Sequence, residues 1–190
     1  YALTSFLDEQ VGIVLDGLDR SGQADETRVI YSTDHGEMLG EHGLWWKSSM
    51  YESSVAVPLI LAGPDIPSGK VTETCAMLVD VFPTILEAVG LESDPADADL
   101  PGRSLLRLAN APTTDRTGFS EYHAIFSPTG VFMLRHGRFK YIHYVDYPPQ
   151  LFDLSSDPDE TRDLAGDPAC AGVLADCRCE LRRICDPAVV

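Results

Sequence analysis

Positive charge is scarce in this sequence. Its 190 residues hold 14 Lys and Arg against 30 Asp and Glu, a formal net charge of −16. Such a chain repels a phosphate backbone, so no nucleic-acid partner is expected. Long apolar runs are also missing: no stretch reaches the roughly 18 residues that a membrane-spanning helix needs, and no membrane partner is expected. There is no initiator Met and no basic leader. The opening "YALTSFLDEQVGIVLDGLDRSG" does not read as a signal peptide but as the middle of a longer chain. A cytoplasmic location is expected, with the periplasm as the alternative because the true N-terminus is not seen. Conventional zinc spacing is lacking too. Of the five cysteines, Cys170, Cys177, Cys179 and Cys185 crowd together as C-x6-C-x-C-x5-C, without a C-x2-C pair or a nearby histidine. On a helix, Cys177 and Cys179 fall on different faces. Ordinary thiols or incidental disulfides are the expectation, and the odd total points to a reducing compartment.

What is present organises into two parts. Leu3, Phe6, Leu7, Val11, Val14, Leu15 and Leu18 recur at the spacing of an amphipathic helix over residues 3–20. "RVIYST" (28–33) predicts a strand, and residues 34–54 a long loop of the kind that usually carries function. A second strand is expected to begin near Leu59, because Pro58 cannot serve inside a ladder. Residues 76–90 predict a helix with Pro83 in its first turn and Gly90 at its end. Residues 91–114 read as a linker. Beyond it, "TGFSEYHAIF", "GVFMLRHG" and "RFKYIHYVD" predict an antiparallel meander turning at His136-Gly137, and a last helix covers 169–185. The fold class is therefore α/β. Residues 1–110 are expected to be part of a large, mainly parallel sheet with flanking helices. Residues 111–190 are expected to form a small α+β subdomain with an antiparallel sheet and a C-terminal helix.

The chemistry concentrates in the loop. Asp34 and His35 leave the carboxyl end of a strand, where ligand sites of open α/β sheets lie. A carboxylate and an imidazole both suit a divalent cation, and Gly36 permits a sharp turn. Lys47 follows Trp45-Trp46 twelve residues past His35 and is suited to hold an anion. Taken singly, each has an ordinary explanation: Asp34 as a turn residue, Lys47 with its stem lying on tryptophan.

Together, "TDHGEMLGEHGLWWKSSMYE" resembles a signature region of the sulfatase family, within the alkaline-phosphatase-like hydrolases. Asp34, His35, Gly36, Leu39, Gly40, His42, Gly43, Trp45 and Lys47 fill the pattern D-H-G-x-x-L-G-x-H-G-x-W-x-K. "VPLILAGPDI", "VDVFPTILEAVGL" and "LFDLSSDPDETRDLA" are similar to the family as well, and "PPQLFDL" resembles its choline-sulfatase-like members.

The resemblance implies a sulfuric ester hydrolase acting on a small-molecule sulfate monoester, and a homo-oligomer is compatible with it. Asp34 and His35 would bind one divalent cation, Ca²⁺ or alternatively Mn²⁺, completed by ligands absent from this chain. Lys47 and His42 would be catalytic residues, Lys47 contacting a sulfate oxygen and His42 orienting the loop or lining the pocket. Glu121 and His123 in "SEYH" are further candidates for substrate binding. The family nucleophile is a formylglycine made within C/S-x-P-x-R. Here "SDPAD" at Ser93, "SDPDE" at Ser156 and "CDPAV" at Cys185 all lack the arginine. The chain is thus expected to be inactive alone and to represent the C-terminal portion of such an enzyme. The alternatives are a phosphonate monoester or phosphodiester hydrolase of the same superfamily, or a truncated, non-catalytic homologue acting as a binding module. A C/S-x-P-x-R motif upstream of Tyr1 would separate the last from the others.

Overall fold

The apolar spacing of the first residues yields helix α1, Ala2–Arg20, in a computed structural model that describes residues 1–187. Gly22, at φ +71°, turns the chain after the helix. Strand β1 (Val29–Ser32) pairs with β2 (Leu59–Ala62), from Val29↔Ala62 to Ser32↔Leu59. Pro58 stays just outside β2, and its carbonyl accepts the Ser32 hydroxyl at 2.9 Å.

This pair corrects one expectation: it is antiparallel. Parallel neighbours need a crossover, usually a long helix, whereas the return from β1 carries a 3-10 turn at Glu41–Gly43 and the four-residue helix α2, Glu52–Val55. A large parallel sheet is not found among the described residues. Tyr1–Ser32 and Pro58–Lys70 form one unit; Thr33–Val57 and the chain from Val71 onward form the other. In the first unit Leu3, Phe6 and Val14 of α1 remain exposed.

The second unit is built on the predicted meander, with one strand more. β3 (Thr117–Tyr122), β4 (Val131–His136), β5 (Phe139–Tyr144) and β6 (Gln150–Asp153) lie in that order, all antiparallel. β4 and β5 close at His136↔Phe139 around Gly137, whose φ of +54° suits a tight hairpin.

Alternation divides the sheet's side chains between two cores. Phe132, Leu134, Tyr141 and Leu151 pack with Cys177 and Leu181 of helix α5, Ala171–Ile184. Val131, Met133, Ile142 and Phe152 pack with Met50. Burial of each such side chain is worth about 1.5–3 kcal/mol. Cys177 is buried and Cys179 exposed, as their spacing predicts, and all five cysteines are free thiols.

The motif "VDVFPTI" has a structural explanation. Helix α3 (Val81–Ala88) begins after Asp80, whose buried carboxylate takes a bidentate grip from Arg116 at 2.6 and 2.6 Å. The same carboxylate accepts the backbone N–H groups of Met77 (2.7 Å) and Arg103 (2.8 Å). Pro83 sits in the first turn of α3, where no intrahelical N–H is lost. The stretch read as a linker contains helix α4, Leu105–Asn110, held by buried Leu105 and Leu108.

Candidate active site

The loop that follows β1 is shaped first by a close approach. A Cβ on Gly36 would lie 2.0 Å from the Ser53 carbonyl oxygen, so only glycine fits. Its N–H donates to Ser54 O at 2.7 Å. The chain then coils back on itself. Met38 N donates to Trp46 O (2.8 Å), Gly40 N to Leu44 O (2.9 Å), and the Glu37 carboxylate accepts Trp46 N at 2.6 Å. Buried Met38 fills the inside. Gly40 (φ +96°) and Gly43 (φ +72°) take left-handed conformations, as do Leu39, His42 and Trp46. A run of such residues costs conformational energy and marks a loop over-determined by its surroundings.

This winding brings three of the sequence-predicted residues together. His35 Nδ1 lies 2.8 Å from Gly36 O, a pure acceptor, so Nδ1 carries the proton. The lone pair of the neutral ring is then on Nε2. Lys47 Nζ is 2.5 Å from that nitrogen and Asp34 Oδ2 is 3.5 Å from it. Desolvation pushes the Asp34 carboxyl up. Its own backbone N–H, the nearby His35, the Thr33 hydroxyl and the Lys47 ammonium outweigh that and hold it below the ordinary carboxylate range. Asp34 Oδ2 and His35 Nε2 are separated by about the distance between neighbouring ligands on one cation, so the pair fits a divalent ion as two of its donors. No group of three or more His, Cys, Asp or Glu gathers for a metal among the described residues.

The other sequence-predicted residues lie elsewhere. The His42 ring stacks on Tyr51, with centroids 4.0 Å apart and planes 9° from parallel. Glu121 and His123 pair with each other at 3.4 Å, and His123 packs edge-on against Phe132 at 5.1 Å. Glu121 is opposite Phe132 in the ladder, on the face that receives α5. Tyr122, between them, points to the other face. Its hydroxyl is 3.1 Å from Ser48 Oγ and donates to Ile125 O at 2.8 Å. Tyr122 is thus the residue of "SEYH" that reaches the loop beside Lys47. Period-two alternation was the available signal.

A buried charge cluster braces the far end of the loop. Lys140 Nζ, fully buried, lies 2.8 Å from both Glu52 Oε1 and Glu160 Oε1. Glu160 Oε2 accepts Glu52 N at 2.6 Å, at the first turn of α2. Sequence reading missed all three residues, because a lysine within "RFKYIHY" gives no sign that it is buried.

Comparison with known proteins agrees with this architecture. Residues 40–186 match the family described as N-sulphoglucosamine sulphohydrolase, C-terminal. That span contains His42 and Lys47 and starts after Asp34 and His35. The chain is 38% identical to mouse (Mus musculus) arylsulfatase K over 177 residues, covering 87% of this chain and 32% of the relative. It is 38% identical over 169 residues to the choline-sulfatase of Rhizobium meliloti (strain 1021), covering 88% of this chain and 33% of the relative.

Solved structures agree as well. BT4656, solved in complex with its substrate D-glucosamine-2-N,6-O-disulfate, superimposes with a TM-score of 0.84 at 29% identity over 93% of this chain and 37% of its own. The phosphonate monoester hydrolase of Silicibacter pomeroyi gives 0.79 at 35% identity over 93% and 38%. A sulfatase-type C-terminal region is the class these observations define. The chain belongs to the N-sulphoglucosamine sulphohydrolase C-terminal family, and it spans about a third of the length of the curated relatives it matches.

Proposed function

We propose that the protein carrying this chain is a sulfuric ester hydrolase that cleaves a small-molecule sulfate monoester with the help of a divalent cation, Ca²⁺ or alternatively Mn²⁺. The observation that carries this reading is the convergence of the Asp34 carboxylate and the Lys47 ammonium on His35 Nε2. Asp34 and His35 would hold the cation, which when bound supplies charge stabilisation to the ester oxygens. The Gly36 carbonyl fixes the His35 tautomer and so keeps Nε2 aimed at the site. That nitrogen has one lone pair. It either accepts a Lys47 N–H or binds a metal, so Lys47 turns away from His35 when the cation is held and is available to a sulfate oxygen. His42 acts on the loop through its stack on Tyr51 rather than on the ester. The nucleophile and the remaining ligands come from residues outside these 190.

The phosphonate monoester hydrolase reading is supported by the likeness to two such enzymes, those of Silicibacter pomeroyi at 35% identity and Agrobacterium radiobacter at 27%. Steady-state kinetics of the full-length protein on an aryl sulfate and on an aryl phosphonate monoester separate the two readings. A higher kcat/KM on the sulfate, lost on chelation, is expected. Preference for the phosphonate transfers the proposal to that chemistry, and hydrolysis of neither with added Ca²⁺ or Mn²⁺ ends both. Residues 1–190 alone supply two ligands where Ca²⁺ takes about six to eight, so calorimetry of this segment should read only weak binding.

A further inference from the structure

One cation of the four-stranded sheet is left without an acceptor. Arg135 and Lys140 are directly opposed across β4 and β5 and so project from one face. Like charges in that arrangement repel. Lys140 is matched by Glu52 and Glu160. Arg135 is matched by nothing: its Nη1 is buried with no hydrogen-bond partner, and it forms no ion pair among the described residues. The residue as a whole is half-buried, so the cost falls on Nη1, a buried donor left without an acceptor.

The same arginine lines a cavity of about 530 Å³. Two other guanidiniums share the wall. Arg116 is engaged by Asp80, and Arg138 lies 3.5 Å from Asp153. Thr72, Thr114 and Ser155 add hydroxyl-bearing residues. The acidic lining residue is Glu73, which is exposed and therefore screened by solvent. Three guanidiniums thus share one wall, two of them matched by Asp80 and Asp153, and Arg135 is the one without a carboxylate within ion-pair distance among the described residues. None of the cavity's lining residues belongs to the loop that carries Lys47. Arg135 stands four residues along β4 from Val131, the partner of Tyr122, which is about 13 Å of strand.

From this juxtaposition we infer that the cavity lined by Arg135, Arg116, Arg138, Thr114 and Ser155 binds a tetrahedral oxyanion, sulfate or phosphate, at a site separate from the Asp34–His35–Lys47 cluster. The anion gives Arg135 the acceptor it lacks, and the hydroxyls complete its shell. Guanidinium is the group suited to this, since its planar fork grips two oxygens at once. The inference does not depend on the hydrolase reading.

The test is thermal unfolding of the full-length protein and its Arg135→Met and Lys47→Ala variants. Sodium sulfate and sodium phosphate are titrated against chloride at matched ionic strength. Either tetrahedral anion should raise the Tm of the wild type and of Lys47→Ala, and the concentration needed should increase at least about tenfold in Arg135→Met, the scale of a lost charge-assisted hydrogen bond. In chloride alone Arg135→Met should melt no lower than wild type, because it removes an unmatched charge. An undiminished anion response in Arg135→Met overturns the proposal. So does loss of the response in Lys47→Ala, which would put the anion at the loop and leave the hydrolase reading standing. A lower Tm of Arg135→Met in chloride also overturns it, by showing that another part of the protein pairs with the arginine. Thr114→Val tests the cavity from a neutral wall and should weaken the response in the same direction.

Discussion

Lys47 and Lys140 belong to the same unit of the molecule and have opposite surroundings. Lys140 is fully buried between two carboxylates, 2.8 Å from each. Lys47 is exposed, in a loop whose Asp34 side chain is 82% accessible, and its near neighbour is an imidazole nitrogen rather than an anion. In the buried cluster every charge is committed to another part of the fold. In the loop, charges are held close together but not cancelled, which is what a binding or catalytic site requires. The fold thus uses one lysine to fix where the other one stands.

The sharpest way to break this comparison is Lys140→Met. It leaves Glu160 buried without its partner and should cost about 3–5 kcal/mol of unfolding free energy, read by urea denaturation. A loss under 1 kcal/mol would place Lys140 with ordinary surface residues. Arg116→Met should behave alike, for it strands the buried Asp80 carboxylate.

Next in size is Lys47→Ala. Turnover of an aryl sulfate by the full-length protein should fall about 10²–10³-fold, the scale for one preorganised electrostatic contact. Its stability should stay within about 0.5 kcal/mol, as for most exposed substitutions. Lys47→Arg should not restore turnover, because a planar fork does not replace a compact point charge. Unchanged turnover, or a large drop in stability, would erase the contrast between the two lysines.

Asp34→Ala in the full-length protein should lower bound metal, measured by elemental analysis, together with activity. Retained metal with lost activity would make Asp34 something other than a ligand.

The smallest expected effect is on titration. The Asp34 carboxyl is held below the ordinary carboxylate range, so its charged form favours the folded state. That contribution is complete above the unfolded-state pKa and is lost as pH falls through the depressed folded value. NMR titration of the Asp34 carboxyl should show a midpoint below that of an ordinary Asp. In Lys47→Ala the midpoint should move up, since one of the charges lowering it is gone. No movement would separate Lys47 from Asp34 electrostatically.

Much of this was readable from local pattern, and the misses have physical causes. The helix over 3–20, the strand before Asp34 and the hairpin at His136-Gly137 follow from spacing and turn chemistry, which are properties of neighbouring residues. β6 was missed because "QLFD" is four residues long behind two prolines and becomes a strand only by pairing with β5. α4 was missed because two buried leucines, not composition, hold it. The antiparallel pairing of β1 with β2 depends on what lies between them, and the rule that helix and strand alternate did not capture that. Asp34, His35 and Lys47 were legible because they are close in sequence. Tyr122, Lys140 and Glu160 were not, because each meets the loop from a distant part of the chain.

Those long-range contacts also set an order in time. Ser48 meets Tyr122 74 residues later, Lys140 meets Glu52 across 88, Gln150 meets Tyr51 across 99, and Glu160 meets Glu52 across 108. A ribosome delivers residues one after another, at about 5–20 per second, so Glu160 follows Glu52 by roughly 5 to 20 s. During that interval the braces are made in turn, Tyr122 first, then Lys140 and Gln150, and Glu160 last. The bracing of the candidate active site is therefore complete only after Glu160 has been made. Trp45 and Trp46 remain exposed with all four braces in place, so the bracing fixes the loop without covering its tryptophans.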